Sequence, residues 1–382
     1  MRITQLAARD FRNFSKLQVS LRPRLNFFLG DNGQGKTNLL EAVYLLCRGV
    51  SFRPSESTSF LTLRDGTTVD RARISSKFLK NSMDFNVEMS LEKSGKVASV
   101  NGKRVNSATL MAHFPTVLFS PESLAAIKEG PDQRRQLIDE ILISHDPRQG
   151  RLLREYSKAL RSRNRLLRNL VDGVGPRIAT EDSLSSLNRI YFLLSTHLTT
   201  ARIKALKDIA PFFTEAMRSI LDEPTEDISV DYLISGDSAL AWSESQVYDA
   251  LLKRHGELRL QEMNSGSSLV GPHKHDIKLL FAGNDSRFYC SQGQQRALIL
   301  ALKIAQIVYH HGVHQTFPVL LLDDVLSELD VKKRGNLMKF LEGISAQILI
   351  TSTDLTWSEK FGVGENAIFS VSNGTVLVQN GI

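Results

Sequence analysis

Cysteine is scarce in this sequence, and long apolar runs and internal repeats are absent from it. Two cysteines, Cys47 and Cys290, occur in 382 residues, too few for a disulfide framework and without the spacing of a metal site. The longest apolar stretches, such as residues 319–322, fall far short of the roughly 20 residues that a membrane helix needs. Residues 1–14 carry charges and no apolar segment, so no secretory signal is expected. Together these absences predict a cytoplasmic protein in a reducing compartment, with no membrane partner.

The composition is that of an ordinary folded protein with an excess of basic residues. Hydrophobic residues make up 42% of the chain and charged residues 23%, which argues against a disordered chain. Because 382 residues exceed what one hydrophobic core normally organises, we expect two domains or one domain with a large insertion. The net charge of +7 makes binding to a polyanion such as nucleic acid a reasonable hypothesis, although charge alone does not show it.

The first hundred residues have the pattern of a β-rich segment interrupted by one helix. An apolar run at 25–29 predicts a buried strand, and apolar residues recurring every three or four positions after Lys36 predict a helix packed by one face. Turn dipeptides then divide residues 60–105 into short predicted strands: Asp65-Gly66, Ser94-Gly95 and Asn101-Gly102. The last of these dipeptides predicts a hairpin.

Residues 120–260 are predicted to be mostly helical, beginning at Pro121. The two long amphipathic stretches, 148–170 and 184–221, are separated by the breaker Gly173-Val174-Gly175-Pro176. After residue 265 the pattern predicts strands at 268–290, an apolar helix at 297–305, and two buried strands at 319–322 and 347–350, as in a parallel α/β sheet.

These elements predict an α/β fold in two lobes. We expect a head with mixed sheets around a nucleotide-binding core, formed by residues 1–118 and 266–382. A mostly helical second lobe, residues 119–265, is inserted between them.

A phosphate-binding loop lies directly after the predicted strand 25–29 and opens the predicted helix. It matches the pattern G-x-x-x-x-G-K-[ST] and consists of Gly30, Asp31, Asn32, Gly33, Gln34, Gly35, Lys36 and Thr37. Glycines let the backbone N–H groups face phosphates, and the helix N-terminus adds partial positive charge. Lys36 is expected to hold the β- and γ-phosphates of ATP, and the Thr37 hydroxyl to bind Mg²⁺. The alternative is a glycine-rich turn with a surface lysine.

Two carboxylates end the buried strand 319–322, where ligands bind in parallel α/β sheets. Asp323 is expected to reach Mg²⁺, directly or through water, and Asp324 to orient or deprotonate the attacking water. An aspartate pair that only caps a turn is the alternative. Ser327-Glu328-Leu329-Asp330 follows and resembles the D-loop of ABC ATPases.

A third motif, Ser291-Gln292-Gly293-Gln294-Gln295-Arg296, precedes the apolar helix and resembles the ABC signature. A serine hydroxyl and glycine N–H groups at a helix N-terminus form an anion site. In the ABC class this segment faces the γ-phosphate bound by a partner subunit, which implies a homodimer closed by ATP. Helix capping by Ser291 is the simpler alternative.

Further segments resemble the RecF family of SMC-like ATPases along nearly the whole chain. They are Phe11-Arg12-Asn13-Phe14, Gly49-Val50-Ser51-Phe52-Arg53, Phe119-Ser120-Pro121-Glu122, Gly130-Pro131 with Arg134-Arg135, Arg163-Asn164 and Gly271-Pro272-His273-Lys274-His275-Asp276. The resemblance implies an ATP-dependent DNA-binding protein of recombinational repair and replication-fork maintenance, with weak DNA-stimulated ATPase activity. It also implies dimerisation on gapped or duplex DNA and RecA loading with the partners RecO and RecR. The expected ATP contacts are the phosphate loop, Asn38, Arg12, Ser291, Gly293 and Gln294.

Departures from family patterns keep some roles open. Gln292 replaces a signature glycine, and 351–354 stands where transporter ATPases carry a γ-phosphate histidine, so the hydrolysis rate is uncertain. Lys274 and His275 depart from the RecF pattern, and a metal role for His273 and His275 is much less favoured than packing or hydrogen bonding. The alternative function is the nucleotide-binding subunit of an ABC transporter. Lys36 and Asp323 lie 287 positions apart, too close for the long coiled coil of cohesin-like SMC proteins.

A basic stripe runs along the first long predicted helix. Its members recur at steps of three and four residues and therefore share one face: Arg151, Arg154, Lys158, Arg161, Arg165 and Arg168. Residues 148–168 contain eight basic residues and a single acid, Glu155. This imbalance slightly favours contact with the DNA phosphate backbone over a merely solvated face.

Overall fold

A computed structural model of the chain describes residues 1–53, 55–64, 66–124, 127–128, 130–146, 148–221, 228–353 and 366–379. Before the long helices the elements are β1 (Arg2–Phe11), β2 (Phe14–Ser20), β3 (Leu25–Leu29), α1 (Lys36–Arg48), β4 (Leu63–Arg64), β5 (Thr67–Thr68), β6 (Arg71–Lys80), β7 (Met83–Glu92), β8 (Gly95–Val100), β9 (Lys103–Val105), α2 (Ser107–His113), β10 (Thr116–Phe119) and α3 (Pro121–Leu124). The middle of the chain contains α4 (Pro131–His145), α5 (Gln149–Val171), α6 (Arg177–Leu221), β11 (Ile228–Ile234), β12 (Asp237–Ser238), α7 (Glu244–Ser265), β13 (Asp276–Phe281), β14 (Asn284–Asp285) and α8 (Ser286–Tyr289). The last elements are α9 (Gln292–His314), β15 (Val319–Asp323), α10 (Val331–Gly343), β16 (Ile348–Ser352), β17 (Ala367–Ser372) and β18 (Thr375–Gln379).

The phosphate loop belongs to a six-stranded sheet with the order β10-β15-β16-β3-β17-β18. All neighbouring pairs in it are parallel except β17 and β18, which form an antiparallel hairpin. The residues of β3, β15 and β16 are buried throughout, which explains their unbroken apolar runs. Because the strands are parallel, their carboxyl ends lie at one edge, where the motifs after β3 and β15 meet.

An antiparallel sheet of order β2-β1-β6-β7-β8-β9 contributes the rest of the same hydrophobic core. Helix α1 contacts strands of both sheets. Leu39, Val43 and Leu46 are fully buried, and so are Ala42 and Leu45 on other sides of the helix. The prediction that α1 packs by one face was therefore wrong, because sheets enclose the helix. Its N-terminus lies where the phosphate loop ends.

Residues 1–125, 216–223 and 296–382 form one compact unit, and residues 126–215 and 224–295 form a second. In this division residues 119–125 belong with the head, and residues 266–295, including most of the signature segment, belong with the helical lobe. The reason is that β13 pairs with β11 across six residue pairs, so the strand after residue 265 completes the sheet of the helical lobe, β12-β11-β13-β14.

Several element predictions need correction. The region 268–290 is not strand throughout, because residues 268–275 form turns and α8 occupies Ser286–Tyr289. Strand β11 lies inside the stretch predicted to be helical, although its buried residues Ile228, Val230 and Tyr232 alternate as a strand requires. The predicted hairpin at Asn101-Gly102 is confirmed by the pairing of β8 with β9. The turn predicted at Asp65-Gly66 includes a residue outside the described ranges.

Candidate nucleotide site and helical lobe

Backbone shape at the phosphate loop is set by its glycines. Gly33 and Gly35 have φ values of +80° and +113°, in the region that glycine adopts without steric cost. Gly35 is the N-cap residue of α1 and accepts a hydrogen bond from Leu39 N at 3.1 Å. The loop therefore ends at a helix N-terminus, whose free N–H groups and dipole suit an anion.

Lys36 is the first residue of α1, and its side chain turns back over the loop. The Nζ atom donates to Gly30 O at 2.6 Å and to Asp31 O at 2.8 Å. Burial lowers the pKa of Lys36, and the nearby carboxylates of Asp324, Asp323 and Asp31 oppose that shift. The ammonium group is thus a positive charge held inside the loop, and its contact with phosphate oxygens stays a prediction.

Asp323 ends β15 and lies among hydroxyl groups. Its Oδ1 accepts hydrogen bonds from Thr37 Oγ1 at 2.9 Å and from Thr351 Oγ1 at 2.9 Å. Burial raises the pKa of Asp323, and these two hydroxyls act against the shift. The structure therefore brings together Thr37 and Asp323, the two predicted metal ligands, and adds Thr351 from β16, the strand between them.

Asp324 follows with a left-handed backbone conformation, φ +50°. Its backbone N–H donates to Thr351 Oγ1 at 3.0 Å, so one threonine bonds the Asp323 carboxylate and the Asp324 backbone. Burial raises the pKa of Asp324, while the Lys36 ammonium lowers it. A carboxylate with a raised pKa is a better proton acceptor. Thr351 belongs to the segment 351–354, which stands where transporter ATPases carry a γ-phosphate histidine. Asp354 of this segment lies outside the described residues.

Arg12 forms a two-pronged ion pair with Glu41. Its Nε and Nη2 atoms donate to Glu41 at 2.9 and 2.8 Å, and Arg53 Nη2 and Ser51 Oγ donate to the same carboxylate at 2.5 and 2.6 Å. Burial by itself raises the pKa of Glu41, but these donors outweigh burial and lower it. Arg53 Nη2 also donates to Asn38 Oδ1 at 2.7 Å. Arg12 and Asn38 thus belong to one hydrogen-bond network centred on Glu41 of α1. Direct contact of either residue with ATP stays a prediction.

Sequence reasoning missed Glu41 at the centre of this network. A single acid within the apolar run Leu39-Leu40-Glu41-Ala42-Val43 was the available signal, because a buried carboxylate requires partners.

The signature segment begins α9 with reciprocal hydrogen bonds. Gln294 N donates to Ser291 Oγ at 3.3 Å, and Ser291 N donates to Gln294 Oε1 at 2.8 Å, which is a capping box. Gln295 is buried and donates to Ser286 O at 2.8 Å. Helix capping by Ser291 is therefore present, and a role for Ser291, Gly293 and Gln294 toward a nucleotide stays a prediction.

The predicted basic stripe lies along α5, and all six of its side chains are exposed. Arg151 pairs with Glu155 at 2.7 Å. Among the residues that the structure describes, no acid pairs with the other five. Most of this charge is therefore uncompensated within the helical lobe.

Arg163 interrupts that series and is fully buried. Its guanidinium donates to Glu262 at 2.9 and 2.6 Å, to Asn188 at 2.8 Å and to Ser268 at 2.7 Å. The Arg163-Asn164 segment thus joins α5 to α6, α7 and the loop after α7. This ion pair has a structural role, and the helical spacing of the stripe already left Arg163 off the basic face.

Residues 271–275 form a turn in the helical lobe that leads into β13. His273 Nδ1 lies 2.7 Å from Tyr156 Oη, and His275 Nδ1 lies 3.0 Å from Tyr232 Oη. Arg134 pairs with Asp276 at 2.9 Å. Both histidines are engaged in hydrogen bonds with neighbouring aromatic residues, while Lys274 is exposed. The two departures from the family pattern therefore differ: His275 makes an internal hydrogen bond, whereas Lys274 lies on the surface.

Acid is expected to destabilise the protein through His275. Burial and the Arg202 charge lower the pKa of His275 well below its usual value, so the folded protein keeps this ring neutral. Below an unfolded pKa of about 6.5, only the unfolded chain takes up the proton. Between pH 7.5 and 5.5 His275 alone should cost about 1.3 kcal/mol of folding free energy.

Urea unfolding at both pH values should show this loss in the original chain and a smaller loss in His275→Gln. Equal pH dependence in the original chain and His275→Gln would show that His275 does not carry the effect.

No helix within the described part of the chain combines the length and the apolar character that a membrane crossing requires.

The strand, phosphate loop and helix, joined to an acidic strand end in a parallel sheet, define a P-loop ATPase head of the ABC and SMC type. The family model described as RecF/RecN/SMC N terminal domain matches residues 2–375. A DNA replication and repair protein RecF from Heliobacterium modesticaldum is 34% identical over 100% of both chains, and one from Geobacter metallireducens is 32% identical over 98% of this chain and 99% of its own. The chain belongs to the RecF family.

Solved structures agree with this assignment. The structure of the recombination mediator protein RecF-ATP in the RecFOR pathway has a TM-score of 0.87 and 30% identity, covering 99% of this chain and 97% of that one. The Smc head domain from Pyrococcus furiosus, with a TM-score of 0.54 and 15% identity over 99% of this chain and 95% of its own, shows the fold alone. The predicted fold class, an ABC/SMC-like head with an inserted second lobe, is confirmed.

Proposed function

We propose that this chain is an ATP-dependent DNA-binding protein of recombinational repair and replication-fork maintenance. In the cytoplasm, two copies close head to head on ATP while bound to gapped or duplex DNA. In this state they support the loading of RecA onto single-stranded gaps together with RecO and RecR. Slow, DNA-stimulated hydrolysis of ATP to ADP and phosphate then opens the dimer and releases it.

The observation that carries the proposal is the meeting of Lys36, Thr37, Asp323 and Asp324 at one edge of the parallel sheet. A cation, a hydroxyl and two carboxylates close together at one sheet edge are what phosphoryl transfer requires for positioning and charge stabilisation. Membership of the RecF family supports the DNA-repair context, because full-length relatives carry that description and a solved relative is an ATP complex.

The residues present suit Mg²⁺. Thr37 Oγ1 and Asp323 Oδ1 lie 2.9 Å apart, and hydroxyl and carboxylate oxygens are the ligands that Mg²⁺ prefers. When bound, the ion would neutralise phosphate charge. The hydroxyl of Thr351 donates to Asp323 Oδ1 at 2.9 Å and orients that carboxylate.

Asp324 is the proposed acceptor of the proton from the attacking water. Its backbone places the side chain beyond the strand end, and its raised pKa favours proton uptake in the reaction. Lys36 is close enough to lower that pKa. The same ammonium therefore keeps the carboxylate charged before the reaction and faces the phosphates during it.

Asp324→Asn is expected to bind ATP normally but to hydrolyse it at least about 100-fold more slowly, because the amide cannot accept the proton. Asparagine tolerates the left-handed conformation found at this position, so the fold should be retained. Phosphate release measures turnover. Sedimentation with ATP and a gapped duplex should show dimers that persist in the variant.

Asp237→Asn, which removes the same charge at an exposed site, serves as the control and should turn over at the original rate. Unchanged hydrolysis in Asp324→Asn would exclude Asp324 as the catalytic carboxylate. A monomer at every ATP and DNA concentration, in both variants and in the original chain, would contradict the proposed dimer.

A further inference from the structure

The hairpin of β17 and β18 contacts the phosphate loop at two points. Asn373 N donates to Gln34 Oε1 at 2.7 Å, and Gly374 N donates to Gln34 O at 3.1 Å. At the other end of the loop, a Cβ on Gly30 would lie 2.2 Å from Val371 O. The loop therefore lies against the hairpin strand at its first residue and against the hairpin turn at its fifth.

Asn13, in the turn between β1 and β2, completes the contact. Its Nδ2 atom donates to Gln34 O at 2.9 Å and its Oδ1 accepts from Asn38 Nδ2 at 2.8 Å. A Cβ on Gly374 would lie 2.2 Å from Asn13 O. The approach is therefore too close for any side chain at position 374.

The turn geometry is specific as well. Asn373 and Gly374 both have left-handed backbone conformations, with φ values of +47° and +72°, as the tight turn of a β-hairpin requires. That conformation directs both backbone N–H groups of the turn toward Gln34. The Gln34 peptide thus has its carbonyl oxygen fully engaged, and the neighbouring N–H groups of the loop are held in one orientation.

We infer that the Asn373-Gly374 turn is a positioning element of the nucleotide site. It fixes the phosphate loop in the shape that binds ATP. The two N–H groups of the turn act on the loop through Gln34. The inference rests on ATP binding at the phosphate loop, as proposed above. It adds that ATP affinity depends on a hairpin located 339 positions along the chain from Gln34.

The chain contains a matched control for this turn. Asn101-Gly102 connects β8 to β9 with almost the same backbone, φ +48° and +79°. A Cβ on Gly102 would meet nothing within 4 Å. Gly102→Ala and Gly374→Ala therefore impose the same kind of backbone strain, but only the second affects contacts with the phosphate loop.

Calorimetric titration with ATP and Mg²⁺ tests the inference, at a temperature where all variants are folded by circular dichroism. Gly374→Ala should weaken ATP binding by about ten-fold or more, whereas Gly102→Ala should leave it unchanged. Asn373→Gly keeps the N–H group and permits the same conformation, so it should bind ATP like the original chain.

Gln34→Met provides a test that leaves the hairpin backbone intact. It removes the side-chain acceptor of the Asn373 N–H, whereas the Gln34 carbonyl still accepts from Gly374 N, so it should weaken ATP binding less than Gly374→Ala does. Equal ATP affinity of Gly374→Ala and Gly102→Ala would overturn the inference. Failure of the original chain to bind ATP would instead contradict the proposed function.

Discussion

Lys36→Ala is expected to abolish measurable ATP binding, a loss of about 100-fold or more, or about 2.7 kcal/mol. Lys36 is only 6% exposed, and its Nζ atom lies inside the loop. The loop sequence, residues 30–37, contains no second cation that could take its place. Without it, phosphate oxygens would face the carboxylates of Asp323 and Asp324 with less compensating charge. Equilibrium titration with ATP and Mg²⁺ measures the loss directly.

Two further variants separate charge from shape. Lys36→Met keeps most of the stem and removes the ammonium, so it should lose binding to the same extent as Lys36→Ala. Lys339→Ala, at an exposed lysine of α10, should bind ATP normally. Retained affinity in either Lys36 variant would contradict the assignment of the phosphate loop.

The local parts of the nucleotide site could be predicted from the sequence. β3 spans the predicted Leu25–Leu29, α1 begins at the predicted Lys36, and β15 ends at Asp323. Each of these depends on residues close together in the chain: an apolar run, a glycine-rich loop and a helical period. The contact between Thr37 and Asp323 was also predictable, because parallel strands bring their carboxyl ends to one edge.

Contacts that depend on distant parts of the chain could not be predicted. The hydrogen bond from Asn373 to Gln34 requires the order of β3 and β17 in the sheet, which no local pattern contains. The Asn-Gly dipeptide at 373–374 is a hairpin signal that the sequence reasoning missed, and this signal alone would not show what the turn touches. In the same way, the helical spacing places Arg163 off the basic stripe, but it does not identify Glu262 of α7 as its partner.

The largest expected effect on DNA binding concerns the basic stripe of α5. If Arg154, Lys158, Arg161 and Arg165 each neutralise one phosphate, log affinity falls with log salt by about 0.9 per contact. Changing all four to Gln should therefore weaken duplex binding by up to about three orders of magnitude at 0.1 M salt. The loss should be similar for different DNA sequences, because phosphate contacts do not read bases.

The salt dependence gives the decisive measurement for the stripe. Fluorescence titrations of a gapped duplex across a salt series should give a slope smaller by roughly 2 to 4 units in the quadruple variant, fewer if some side chains remain solvated. ATP affinity in the absence of DNA should not change, since none of the four side chains belongs to the phosphate loop.

A second quadruple variant removes the same charge elsewhere. It changes to Gln four basic residues that each pair with an acid: Arg71, Arg177, Lys204 and Arg254. Because these charges are already compensated, the slope and affinity should remain close to those of the original chain. If instead the two quadruple variants lose the same affinity, the effect comes from net charge, and α5 does not contact the phosphates. If the stripe variant keeps the original slope, α5 is a solvated face and the protein binds DNA through another surface.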